Sequence, residues 1–175
     1  MSFVLEPRAD QGVDLVVTGD WSMAAREALV TGRADGLVLN YAKGFREQPI
    51  DFIEGLPIRK LDLLARSVSD LSPVYSLAST LEELRIESDP RAVVDLENLP
   101  RLKTLAASWP QVRASILFAS QLEDLVLARA LDDVGDVAHR FDAADEVNLT
   151  VAHLHAAVGL HNRGAAGAAI AGHGV

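Results

Sequence analysis

The chain has 175 residues, enough for one domain with a sizeable core, and its 49% hydrophobic and 23% charged side chains place it with ordinary globular proteins rather than disordered ones. A formal net charge of −9 argues against a nucleic-acid partner, whose phosphates demand Lys and Arg. It would attract a basic partner, although solubility alone explains it more simply. The absence of cysteine excludes disulfides, thiol nucleophiles and Cys-based zinc sites.

The opening MSFVLEPRADQG has no basic start followed by an apolar run, so no signal peptide is expected. No apolar window reaches the roughly 20 residues that a membrane helix needs. With no cysteine to oxidise, these features point to the cytoplasm. Residues 2–5 are a short apolar start, expected to lie across the first structural unit and cover its open edge. Gly12 to Val17 predicts a strand, and Asp20 to Val30 a helix capped by Asp20 or Ser22 and ended by Gly32. Trp21 falls in its first turn and is expected to pack rather than bind. A strand follows at Gly36 to Leu39, then a turn from Asn40 to Gly44 and a short helix from Pro49 through Ile50, Phe52, Ile53 and Leu56, with Pro favourable at its start. Leu71, Val74 and Leu77 repeat at spacing three around Pro73 and predict a helix or tight turn. The later connections look shorter, carrying Val93, Val94, Leu96 and Leu99, then Val112, Ile116 and Leu117.

In the stretch Leu96 to Ala107 the apolar spacing changes from three (96, 99, 102, 105) to two (105, 107). Spacing of three suits a tight helical turn, spacing of two a strand. The phrase apolar-x-x-apolar-x-apolar recurs clearly at Ile58/Leu61/Leu63, Leu81/Leu84/Ile86 and Leu122/Leu125/Leu127. Weaker copies stand at Gly12/Leu15/Val17, Ala34/Leu37/Leu39, Leu102/Leu105/Ala107 and Ala144/Val147/Leu149. The starts at 12, 34, 58, 81, 102, 122 and 144 lie 20 to 24 residues apart, within the period of about 20–29 given for leucine-rich repeats. Over about residues 12–155 the chain resembles that family. It departs at the family's turn Asn, where this sequence has Asp20, Ala42, Arg66, Asp89, Pro110, Ala130 and Ala152, so no Asn ladder is expected.

The expected fold is an α/β leucine-rich-repeat solenoid: a curved, parallel sheet of seven strands, about 30 Å long at roughly 4.8 Å per strand, with helices and turns on the convex side. It would occupy residues 1–160 with an N-terminal cap. The repeat fails after Leu149; Val151 to His161 reads as a short capping helix, and 161–175 as an Ala/Gly-rich tail.

In the resembled family the non-core positions in and beside each strand face a concave, ligand-binding surface. Here the mid-strand positions are Val16, Val38, Asp62, Arg85, Ala106, Val126 and Asn148. The pre-strand positions are Val13, Asp35, Arg59, Glu82, Lys103, Glu123 and Asp145. The middle of the second series alternates in sign and is expected to be a self-satisfied ladder. Glu123, Asp124, Asp145 and Glu146 crowd one end and are the candidates for a basic ligand. Tyr41 and Trp109 take the same rim position in two repeats, where either packing or interface anchoring is in character. The expected partner-binding residues are therefore Tyr41, Arg85, Trp109, Asp124, Asp145 and Glu146. His153, His155 and His161 invite a zinc site, but no carboxylate accompanies them at ligand spacing. No phosphate loop, GxGxxG, GxSxG or HExxH pattern occurs. The sequence thus predicts a protein-binding module without cofactor, metal or catalysis. The alternatives are an immunity-type inhibitor of a toxin enzyme and, less favoured, a small metal-dependent hydrolase.

Overall fold

The leucines of the repeating phrase form a single column. Leu15, Leu37, Leu61, Leu84, Leu105 and Leu125 stand in register on six neighbouring parallel strands, and none is more than 2% exposed. The computed structural model describes residues 2–46 and 49–128 and the backbone of 146–150. The strands are β1 (Phe3–Pro7), β2 (Val13–Val17), β3 (Gly36–Asn40), β4 (Lys60–Leu64), β5 (Glu83–Glu87), β6 (Thr104–Ser108), β7 (Asp124–Ala128) and β8 (Glu146–Thr150), lying side by side in sequence order in one open sheet. The chain is an α/β fold whose sheet is parallel from β2 to β7 and antiparallel at both edges.

Parallel neighbours need a crossover between them, and here every crossover lies on the face that carries the leucines. The first contains α1 (Met23–Val30), which buries Ala25, Ala28 and Leu29. The others use single tight turns at Tyr41–Lys43, Asp51–Ile53, Leu96–Asn98 and Ile116–Phe118, a six-residue 3₁₀ helix at Ser72–Leu77, and the one-turn helix α2 (Trp109–Val112). Spacing of three suits this tighter turn, because side chains at i and i+3 eclipse and all face the core. Ile53, Val74, Leu77, Leu96 and Val112 thereby pack into the same cluster as the strand leucines.

A backbone device repeats at the strand entrances. The carbonyl of Asp35 accepts from Arg59 N (2.8 Å) and Lys60 N (3.3 Å), that of Arg59 from Glu82 N and Glu83 N, that of Glu82 from Lys103 N and Thr104 N, and that of Lys103 from Glu123 N and Asp124 N. One carbonyl serves two donors at each step, which holds successive units at constant register. On the turn side, side chains satisfy backbone groups of the crossovers. Tyr75 Oη accepts from Asp95 N at 2.9 Å; Ser115 Oγ accepts from Leu96 N at 3.0 Å and donates to Val94 O at 2.8 Å. Gln111, 2% exposed, donates to Ser88 Oγ and Asp89 O.

Three expectations need correction, and a fourth is met in a specific form. The Ala144/Val147/Leu149 phrase does form a strand, but β8 runs antiparallel to β7; period-two alternation carries no information on direction. The first helix begins at Met23, because Ser22 Oγ accepts from Ala25 N and leaves Trp21 outside. Trp21 instead stacks on Phe52, with centroids 4.4 Å apart, in keeping with a packing role. The segment after Pro49 makes one turn at Asp51–Ile53 rather than a helix reaching Leu56. The apolar N-terminus covers the edge of β2 as expected, by forming the five-residue antiparallel strand β1. The proposed capping helix and the Ala/Gly-rich tail lie outside the described residues. Among the described residues no helix is long and apolar enough to cross a membrane.

Candidate functional site

Alternation along the strands puts a second column, Val16, Val38, Asp62, Arg85, Ala106 and Val126, on the sheet face opposite the core. This face is not uniformly open. Val16 is fully buried and Val38 6% exposed. Lys43, in the turn after β3, pairs with Glu6 of β1 at 3.0 Å across β2, on the side that carries Val16. The accessible part of the face therefore starts at β4 and contains Asp62, Arg85, Ala106 and Val126.

At its strand-entrance rim, charges are saturated. Arg8 reaches Asp14 through Nη1 (2.6 Å), Asp35 through Nη2 (3.0 Å) and Asp10 through Nε (3.1 Å), while Lys60 takes the other Asp14 oxygen at 2.9 Å. Burial pushes the Asp35 carboxyl up, but the Val13 N–H and the Arg8 guanidinium outweigh it and hold the group below the usual carboxylate range. Further along, Glu82 receives Lys103 and Arg59, each at 3.0 Å, and Arg101 at 3.6 Å. Hydrogen bonds from Lys103 and Arg59 lower its pKa to about 2. The alternating column is thus a structural ladder, except that Lys103 turns to Glu82 and leaves Glu123 outside it. A shallow depression between the entrances of β6 and β7, lined by Pro100, Arg101, Lys103, Ser120 and Gln121, has both its cations committed to Glu82.

Glu82→Lys is expected to lower stability by about 1 kcal/mol in a denaturant melt, since partly exposed pairs are individually weak. Because the folded pKa of Glu82 lies below its unfolded value, its contribution is present above the normal carboxylate range and is lost as pH falls towards about 2. The difference between wild type and Glu82→Gln should therefore shrink on acidification over that interval.

At the centre of the face the balance fails. Asp62 Oδ1 is the one buried side-chain oxygen or nitrogen without a hydrogen-bond partner among the described residues. Its nearest cation is Arg85 Nε at 3.9 Å, too far for a hydrogen bond. Burial pushes the Asp62 carboxyl up, opposed only in part by Arg85 and Lys60. The sign is opposite to that of Glu82: the folded state binds the proton more tightly, so this group destabilises above its raised pKa and is relieved as pH falls through it. Asp62→Asn should raise the denaturation midpoint at neutral pH, and the gain should fade in acid. A gain independent of pH would contradict the assignment.

The expected binding residues are distributed as follows. Tyr41 is 50% exposed at the strand-exit rim, with the Arg66 guanidinium 5.8 Å from its ring centroid, and Arg66 also pairs with Glu87 of β5. Arg85 is exposed at the centre of the face. Trp109 is half-buried at the start of α2 and packed against the core, so it is not the equal of Tyr41 as an exposed anchor. Asp124 is exposed at the entrance of β7. Asp145 lies outside the described residues, as do all five histidines. Glu146 opens β8, but antiparallel pairing sets it against Ala128, while Asp124 faces Thr150. Glu146 and Asp124 are four residues apart along the ladder, about 13 Å, so the expected single acidic cluster is divided. The residue whose importance spacing alone did not reveal is Asp62: its position on the face was legible, its lack of a partner was not. Among the described residues no group of three or more carboxylates is placed to hold a metal ion. No protein family, curated protein or solved structure matches the chain.

Proposed function

We propose that the chain is a leucine-rich-repeat solenoid that binds a protein partner on the free face of β4 to β7, without cofactor or catalysis. The observation that supports this most is the unsatisfied Asp62 oxygen beside the exposed Arg85 at the centre of that face. Native proteins leave few buried polar atoms unpaired, and a local departure from good packing is most often tied to function. The strands beneath are held by ladders on both sides, so the side chains on them lose little freedom on binding. Tyr41 and Arg85, residue types that dominate interface energetics, anchor the partner. Asp124 adds long-range attraction for a basic one, and the charges of Asp145 and Glu146 add to the same acidic balance; Trp109 packs against the core at the start of α2.

The immunity-type inhibitor reading needs a continuous anionic surface that mimics a substrate. With Glu146 about 13 Å along the ladder from Asp124, it is the less favoured reading.

The test uses affinity capture from the native cell with three baits: wild type, Tyr41→Ala/Arg85→Ala, and Leu117→Ser/Phe118→Ser, which alters exposed apolar residues on the crossover side. A partner held by the first and third baits and lost by the second supports the sheet face. Retention by the second bait and loss by the third would place the interface on the crossover side.

A further inference from the structure

We infer that Arg85 binds a carboxylate of the partner, an Asp or Glu side chain, and that Asp62 is the positioning residue that holds Arg85 for it. This rests on the proposed sheet-face interface and adds the chemistry it selects. The Arg85 side chain is 54% exposed and makes no hydrogen bond among the described residues. Its closest approach to any carboxylate is through Nε, which leaves the outer edge formed by Nη1 and Nη2 unoccupied.

The surrounding groups are already committed. Lys60 is bound to Asp14 and Lys43 to Glu6, so neither hydrogen-bonds Asp62. Glu87, two residues along β5 from Arg85, is taken by Arg66, and Glu83, two residues the other way, forms no ion pair among the described residues. Arg59 and Arg91, by contrast, each have a terminal nitrogen about 3 Å from a carboxylate (3.0 and 2.9 Å). Arg85 is thus a guanidinium on a rigid strand with one edge facing a carboxylate it does not quite reach and the other facing solvent.

The planar fork fits a carboxylate through two parallel hydrogen bonds, a match that an ammonium does not reproduce. When a partner carboxylate occupies the outer edge and displaces water, the guanidinium is fixed, and Nε needs to move by about 1 Å to reach Asp62 Oδ1 at hydrogen-bond distance. Binding then satisfies the orphaned oxygen as well. The net charge of −9 does not conflict with this, since it acts over a Debye length of about 8 Å or more while the fork selects at contact.

The experiment is panning of a random 12-residue peptide display library against the full chain. Selected peptides are then titrated against Arg85→Gln, Arg85→Lys, Asp62→Asn and Ala106→Trp. Ala106 lies beside Arg85 in register, so the Trp variant blocks the face whatever the chemistry. The expected peptides share an Asp or Glu, are lost with Ala106→Trp, and weaken about tenfold or more with both Arg85 variants, the Lys one included because it lacks the fork. Asp62→Asn should weaken them about threefold. In wild type the Arg85 Nε–H proton signal should sharpen on peptide binding, and in Asp62→Asn it should not; a merely structural Asp62 would leave that signal alike in both. Amide spectra of each variant check folding. Peptides blocked by Ala106→Trp yet free of acidic residues, or indifferent to Arg85→Lys, overturn the carboxylate inference and leave the interface standing. Peptides indifferent to Ala106→Trp and Arg85→Gln alike, or no binders at all, overturn both.

Discussion

Leu105→Ala is expected to destabilise the chain by about 2–5 kcal/mol, with an unchanged denaturant slope. Leu105 is fully buried as the second residue of β6, between Leu84 of β5 and Leu125 of β7. Removing its isobutyl group loses the transfer free energy of the buried atoms and opens a cavity that the sheet cannot close. The column is held at fixed spacing by the ladders on either side, and each neighbour is itself a leucine in the same layer. A loss below about 1 kcal/mol would mean that the layer relaxes into the gap, against the rigid packing seen. The same truncation near an edge, at Leu15 or Leu125, should cost less wherever the neighbouring segment can shift.

The fold was legible in the sequence wherever one residue type had to recur at one place. Leu84, Ile86, Leu105, Leu125 and Leu127, named as one core, are all at most 4% exposed, and Arg85 between two of them is exposed. A strand with one buried face leaves no other phase for the pattern, because a slip by one residue would turn every leucine outward. The direction of β8 was not legible, since Val147 and Leu149 alternate in the same way whichever end of the strand comes first. Nor was the exact start of α1: Asp20 and Ser22 both have a capping oxygen, and the choice of Ser22 leaves Trp21 free to stack on Phe52, 31 residues later.

The site was partly legible. Spacing placed Asp62 and Arg85 on neighbouring strands of one face, as found. What it could not give was how far every other charge had been used. Lys60 is two residues from Asp62 on the same strand face, yet its ammonium goes to Asp14, 46 residues away in sequence. That choice leaves Asp62 without a hydrogen-bond partner, and Asp14 also binds Arg8, which precedes β2 and belongs to no periodic position. Tyr41 and Trp109 show the same limit: equivalent in the repeat, they part in exposure because one heads an open turn and the other heads α2 against the core.

Gly36→Ala is expected to destabilise the chain by about 2–4 kcal/mol, although one general effect argues the other way. Gly36 has no left-handed backbone angle, and replacing such a glycine by alanine ordinarily stabilises by about 0.4–1 kcal/mol through the unfolded chain. The local geometry decides the sign. A Cβ on Gly36 would overlap Asp14 Oδ1 and stand 2.5 Å from Arg8 Nη1. Those two atoms make the shortest contact of the entrance rim, 2.6 Å, with both side chains about 12–13% exposed. The carboxylate cannot simply swing away, because Lys60 holds its other oxygen, and the guanidinium is fixed by Asp10 and Asp35. Accommodating one methyl group therefore requires breaking a partly buried, four-way ion-pair network, which outweighs the entropic gain. The check is a double-mutant cycle. If the clash is the cause, Gly36→Ala should cost much less in an Asp14→Ala background, with a coupling above about 1 kcal/mol. Additive effects, or a stabilised Gly36→Ala single variant, would show that the rim yields easily and that Gly36 is not what lets Arg8 and Asp14 meet over β3.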